Sequence, residues 1–255
     1  MGIPVGVTRR KAGGKPLLTW TLIAVNTAVL IYLLFSNRLN WAVTRLGLIP
    51  EHVLEGRRLY TVLTSMFIHG DLTHLIGNMI YLSVFGSGIE TRIGKRRFLT
   101  LYLLSGVLAS AAHMVILLLF TEPVLIYSPL GVAVYDPLKT PCVGASGAIS
   151  GLLGAYLLLL PGATLRILTF IGFIPVVISI PAILFIGLWF LYQLYMGYLS
   201  LLLPSPFFSG VAFWAHIGGF LTGLIIAPLI GRRVRRRRMV IVDRRGRVWY
   251  EIPID

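Results

Sequence analysis

A serine set between small residues opens one apolar run, at Gly144-Ala145-Ser146-Gly147, and a histidine opens another, at Ala215-His216-Ile217-Gly218-Gly219. A serine hydroxyl becomes a working nucleophile when a base takes its proton, and imidazole suits that task near neutral pH. On a third apolar run His74 and Asn78 stand four residues apart, a spacing that presents both side chains to one point beside a helix. An imidazole N–H, a carboxamide NH2 and the backbone N–H of Ser146 at a helix start are donors of the kind that hold a developing oxyanion. The set fits acyl transfer, with Ser146 as candidate nucleophile and His216 as candidate general base, while Asn78 and His74 fit either an oxyanion site or, taken alone, a cross-link between helices. Hydrocarbon disfavours a polar imidazole that has neither use nor partner, so this pairing inside apolar runs points to proteolysis within a bilayer.

Other chemistries fit the spacing less well. The acidic residues are Glu51, Glu55, Asp71, Glu90, Glu122, Asp136, Asp243, Glu251 and Asp255, and none lies within a span at the depth of Ser146. A Ser-His dyad is therefore expected in place of a Ser-His-Asp triad. Asp71 is expected to cap the helix that follows it, and Glu90 to pair with Arg92. For zinc, His69, His74 and His216 come to mind. However, a helical His-Glu-x-x-His sets its ligands four apart around a glutamate, whereas His69 and His74 are five apart with Asp71 between them. No metal and no cofactor is expected. Cys142, the single cysteine, excludes an intrachain disulfide and reads as a small loop residue; His52 and His113 read as surface and packing residues.

The elements that must position these residues are set by composition. Over 255 residues the chain is 56% hydrophobic and 13% charged, with mean hydropathy +0.85, which describes an all-α polytopic membrane protein. A helix needs about 20 apolar residues to span a bilayer, and six candidate spans meet that pattern, at 17–36, 73–90, 98–120, 145–161, 180–200 and 211–230. The apolar stretch 167–178, with Gly172 and Pro175, is too short and reads as an interfacial or re-entrant connection. With the N-terminus inside, most lysines and arginines fall on the cytoplasmic side. Only Arg38, Arg45, Arg57, Arg58 and Lys139 lie outside, and a seventh span would misplace the Arg232 to Arg238 cluster. Both termini are therefore expected to be cytoplasmic. The expected organisation is a basic segment 1–16, a membrane domain 17–231 with the first span retained, and a basic tail 232–255 whose residues 239–255 fit either a small hairpin or a mobile cytoplasmic tail. The net charge of +14 sits beside apolar spans, where anionic lipid accounts for it, so no nucleic acid partner is expected.

In this topology spans two, four and six run the same way, and His74, Asn78, Ser146 and His216 all fall in their first turns. Gly144, Gly147, Gly151 and Gly154 on span four face Ala215, Gly219, Gly223 and Ala227 on span six as small-residue stripes that let helix backbones approach. Helix packing at the site is thus expected of Gly144, Gly147, Gly219 and Gly223.

Four motifs in order, Leu63-Thr64-Ser65-Met66-Phe67-Ile68-His69-Gly70-Asp71, His74-Leu75-Ile76-Gly77-Asn78, Gly144-Ala145-Ser146-Gly147-Ala148 and Ala215-His216-Ile217-Gly218-Gly219-Phe220, resemble the rhomboid family of intramembrane serine proteases. The likeness runs over roughly residues 46 to 230. It implies a six-helix rhomboid-like bundle with Ser146 as nucleophile, His216 as base, and Asn78 with His74 at the oxyanion. It also implies a partly embedded loop over 37–72, and a substrate gate made of span five with loop 201–210. Two positions depart from the family pattern. Tyr60 and Thr61 stand where many members have Trp-Arg, which implies a different loop anchorage. Ser150 stands where some carry an aromatic ring against the histidine, leaving the orientation of His216 to Ser150 itself or to a water. The expected substrates are transmembrane proteins in the surrounding lipid bilayer, cut near the outer leaflet, and the expected location is a prokaryotic cell membrane. The rival readings are a non-catalytic client-binding relative and a transporter. The sequence leaves oligomeric state open.

Overall fold

A computed structural model describes residues 2–8, 14–128, 131–203, 210–231, 237–242 and 248–254. Five helices have the length and apolar character to cross a membrane: α1 (Leu17–Phe35), α5 (Leu72–Ile93), α6 (Lys95–Phe120), α8 (Ala182–Leu202) and α9 (Phe213–Ile230). The sixth expected span is a shorter apolar helix, α7 (Ser146–Leu159), of 14 residues. Three short helices, α2 (Leu39–Leu46), α3 (Pro50–Leu54) and α4 (Thr61–Thr64), lie between α1 and α5.

Helix α7 is the hub. All its residues from Gly147 to Tyr156 are buried, chiefly against α9 and α6. Lipid tails are as apolar as leucine, so close packing must hold such helices together, and small residues make the approach possible. A Cβ on Gly219 would collide with the Gly147 carbonyl oxygen, one on Gly223 with that of Gly151, and one on Gly154 with that of Phe220. On the α6 side a Cβ on Gly151 would strike Ser105, and one on Gly147 would come within 2.7 Å of the Ala109 Cβ.

The segment from α2 to α4 is held to the bundle by Ala42 and Ile68, buried against Leu33 of α1. Its anchors use the departures noted in the sequence. The Tyr60 hydroxyl donates to the Arg45 carbonyl at 3.1 Å, the Thr64 hydroxyl to that of Leu46 at 2.7 Å, and Thr61 is buried with its hydroxyl donating to the Arg58 carbonyl.

Helix α5 opens on Asp71, whose carboxylate accepts the His74 N–H at 2.8 Å as an N-cap. A π-helical turn at Leu82–Gly86 interrupts it. Near its far end Glu90 does not serve Arg92 in the expected way. Its carboxylate reaches α1, accepting the N–H groups of Leu18 (3.0 Å) and Thr19 (2.7 Å) and the Thr19 hydroxyl (2.8 Å). The reason is physical: α1 has no side-chain cap of its own at Pro16, and a carboxylate satisfies its orphan N–H groups while favouring the positive end of the helix dipole.

Strands outside the tail supply what the sequence reading did not expect. After α6, β2 (Val124–Ser128) and β3 (Gly131–Tyr135) pair as an antiparallel hairpin. The apolar stretch between α7 and α8, expected as an interfacial or re-entrant connection, is a β-hairpin: β4 (Thr164–Ile171) and β5 (Ile174–Pro181) pair from Thr164↔Pro181 to Ile171↔Ile174. Alternation produces this, with Leu165 and Ile167 buried two apart, and Gly172, at φ +61°, turns the chain where other residues are strained. The N-terminal segment adds β1 (Ile3–Thr8) to make a sheet in the order β1-β4-β5. In the tail, β6 (Arg237–Val242) pairs with β7 (Val248–Ile254); the intervening residues 243–247 and the arginines at 232–236 lie outside the described residues.

Candidate active site

Ser146 is the first residue of α7. Gly144 just before it has φ +116°, and a Cβ there would come within 2.6 Å of the His74 ring. Glycine therefore lets the chain turn beneath that imidazole, while the Gly144 N–H donates to the Ser65 carbonyl at 2.9 Å. The start of α7 is thus tied to α5 and to the segment before it.

His216 lies in the first turn of α9. Its Nδ1 stands 2.8 Å from Oε1 of Gln193 on α8, and the Trp189 indole, one turn earlier on α8, flanks the imidazole with ring centroids 6.1 Å apart and planes tilted by 35°. Gln193 is only 4% exposed. On α5, His74 meets the fully buried His69 edge-on at 5.2 Å. Asn78 donates one amide hydrogen to the His74 carbonyl at 2.9 Å, and a carboxamide nitrogen carries a second.

His74, Asn78, Ser146 and His216 all line one cavity of about 430 Å3. A second cavity of about 280 Å3 shares Asp71, His74 and Val143 with it and adds polar groups from Tyr135, Thr140 and Ser200. Among the described hydrogen bonds none joins the Ser146 hydroxyl to the His216 ring; such bonds commonly tighten only when substrate is bound. Asp71 and Glu90 are both occupied as helix caps. Burial pushes the Cys142 thiol up to about 11, which keeps it protonated, and its backbone pairs with Leu48 at 2.7 and 2.9 Å as a loop clasp. Burial, with His74 beside it, lowers His69 to about 4, so that imidazole is neutral at physiological pH.

A rhomboid domain matches residues 56–233. The chain belongs to the rhomboid family. It is similar to "RHOMBOID-like protein 12, mitochondrial" of Arabidopsis thaliana, 33% identical over 183 residues that make up 71% of this chain and 48% of the relative. It is similar also to "Rhomboid protease AarA" of Providencia stuartii, 32% identical over 84% of this chain and 72% of the relative. With "Rhomboid protease GluP" of Bacillus subtilis it shares 27% identity over 86% of this chain and 36% of the relative. The chain spans less than half the length of the Arabidopsis and Bacillus relatives. Two of these relatives carry the name of a protease.

In this rhomboid two sequence expectations take a different form. Gly144 precedes α7 and packs under His74, so it shapes the turn instead of the α7–α9 contact that Gly147, Gly219 and Gly223 make. Ser150 does not orient His216: its hydroxyl donates to the Ser146 carbonyl at 2.7 Å within α7. The groups that touch the imidazole, Gln193 and Trp189, were missed by sequence reasoning. The signal was present, since Gln193 is a carboxamide within an apolar span, where a polar side chain needs a partner or a use.

Proposed function

We propose that this rhomboid is an intramembrane serine endopeptidase that cleaves transmembrane-helix substrates near the outer leaflet through a Ser146-His216 dyad. The observation that carries this reading is the convergence of Ser146, His216, Asn78 and His74 on one cavity from three helices. The Ser146 hydroxyl attacks the scissile carbonyl while His216 takes its proton and returns it to the leaving amine; water then completes deacylation with the same base. Asn78, through its second amide hydrogen, His74 and the Ser146 backbone N–H stabilise the oxyanion. No cofactor or metal takes part.

Depth supports the location of the cut. Helix α7 has 14 residues and is about 21 Å long at ~1.5 Å per residue, against about 30 Å of hydrocarbon. With its far end at one interface, Ser146 lies below the other, and the two adjoining cavities provide a polar route for water. A substrate helix hides its carbonyls in hydrogen bonds, so segments with Gly or Pro enter the site more readily. The topology proposed is six spans with both termini cytoplasmic, organised as segment 1–16, membrane domain 17–231 and tail 232–255. The gate proposed is α8 with loop 201–210, of which residues 204–209 lie outside the described residues. The apolar helices and the family support an integral membrane protein. The prokaryotic cell membrane expected from sequence gains no support from relatives that include mitochondrial proteins.

The test is covalent labelling of the full chain in lipid vesicles by a fluorophosphonate, together with cleavage of a transmembrane reporter. Labelling and cleavage that both vanish in Ser146→Ala and His216→Ala are expected. A folded wild type that neither labels nor cuts would give way to the non-catalytic client-binding or transporter reading.

A further inference from the structure

Helix α8 turns much of its surface outward: Leu188, Leu191, Tyr192 and Tyr195 are all exposed. Gln193 points the other way and is buried. A carboxamide buried in apolar surroundings costs stability unless it is hydrogen-bonded, and its described bond is the one to His216 Nδ1 at 2.8 Å. Neutral imidazole has one N–H and one lone pair, and the group facing one nitrogen sets which is which.

We propose that Gln193 is a positioning residue for the base, its Oε1 accepting the Nδ1–H of His216 so that Nε2 keeps the lone pair that receives the Ser146 proton. The proposal rests on the Ser146-His216 reading of the cavity. Trp189 limits the tilt of the same imidazole, so two residues one turn apart on α8 hold the ring of α9. When His216 carries the proton, the amide dipole of Gln193 accepts from the imidazolium without contributing a charge, which distinguishes it from the carboxylate of a triad. The other titratable groups around His216 are His74 and Tyr81 of α5 and His113 of α6, with Asp71 capping α5 on the shared wall; α7 presents Ser146 and Ser150 and no charged group.

Two variants of the full chain in vesicles, each checked for folding by thermal unfolding, test the assignment. Gln193→Met keeps the volume and removes the acceptor; kcat and the fluorophosphonate labelling rate are expected to fall by about tenfold to a hundredfold with KM little changed, because the base loses orientation and not substrate contact. Gln193→Glu keeps an acceptor and adds a charge beside the imidazole. Activity is expected to persist, with the acidic limb of the kcat/KM profile displaced upward by about one pH unit or more. An unchanged labelling rate in Gln193→Met overturns the proposal. So does a folded Gln193→Glu whose pH limb does not move, or which is inactive at every pH, since that would make Gln193 a donor to Nδ1. If the buried carboxylate prevents folding, the kcat and KM split of Gln193→Met decides alone. A wild type that labels and a Ser146→Ala variant that does not leave the dyad standing whatever Gln193 does; the converse removes the dyad itself.

Discussion

Ser146 is the candidate nucleophile at the start of α7, whereas Ser150 spends its hydroxyl on the Ser146 carbonyl and the thiol of Cys142, on the adjoining cavity, is protonated. Ser146→Ala is therefore expected to abolish cleavage, a loss on the order of a millionfold in soluble serine proteases, with an unchanged unfolding temperature as the control. At Asn78 one amide hydrogen is committed to the His74 carbonyl. Asn78→Ala is expected to slow single-turnover cleavage by about a hundredfold to a thousandfold while leaving substrate affinity unchanged, since oxyanion donors act as charge develops. Weaker binding or unfolding without a chemical defect would make Asn78 a helix-packing residue. His74→Ala is expected to cost the same or less, as water and neighbouring donors stand in for it.

At the scale of elements, the α7–α9 contact decides whether the dyad assembles. Gly223 lies two turns along α9 from His216 and touches no candidate catalytic group, yet a Cβ there collides with Gly151 backbone atoms, which cannot swing aside as a side chain can. Gly223→Leu is expected to lower stability by at least about 1–3 kcal/mol and to remove activity with it, read as thermal unfolding in detergent beside labelling. Gly187 in α8 is the contrasting case, since nothing lies within 4 Å of its Cβ position. Gly187→Ala is expected to be neutral or to raise stability by up to about 1 kcal/mol through helix propensity alone, with labelling intact.

At the scale of the whole molecule, one buried group joins distant parts of the chain and another sets how stability responds to pH. Glu90 ties the start of α1 to the end of α5 through three hydrogen bonds. Glu90→Ala orphans those donors and is expected to cost about 1–3 kcal/mol, measured as a lower unfolding temperature, with the labelling rate of the still-folded protein preserved. His69 couples stability to pH. Its folded-state value of about 4 lies below the usual 6.5, so the unfolded chain binds more protons between those values. The stability this contributes is complete above about pH 6.5 and is lost as pH falls through about 4. His69→Gln is expected to flatten the fall in unfolding temperature over that window; an unaltered slope would place the acid sensitivity elsewhere.

Local properties were legible in the chain itself. Run length and apolar character located the long apolar helices but not the short α2, α3 and α4, and helical periodicity placed His74 with Asn78 on one face and Gly219 with Gly223 on another, because 3.6 residues per turn is a property of the backbone alone. Asp71 read as an N-cap for the same reason, its partner being three residues away. What the tertiary structure alone decided are contacts across sequence. Gln193 reaches a histidine 23 residues on, and Glu90 reaches residues 71 and 72 positions back. A side chain's partner at such separations depends on which helix packs beside it and at what rotation, and no local pattern encodes that. The β4–β5 hairpin escaped for a related reason: a short apolar stretch fits a buried helix, a re-entrant loop or a strand equally well, and the structure resolves it as strands that pair with each other and, through β4, with the distant β1.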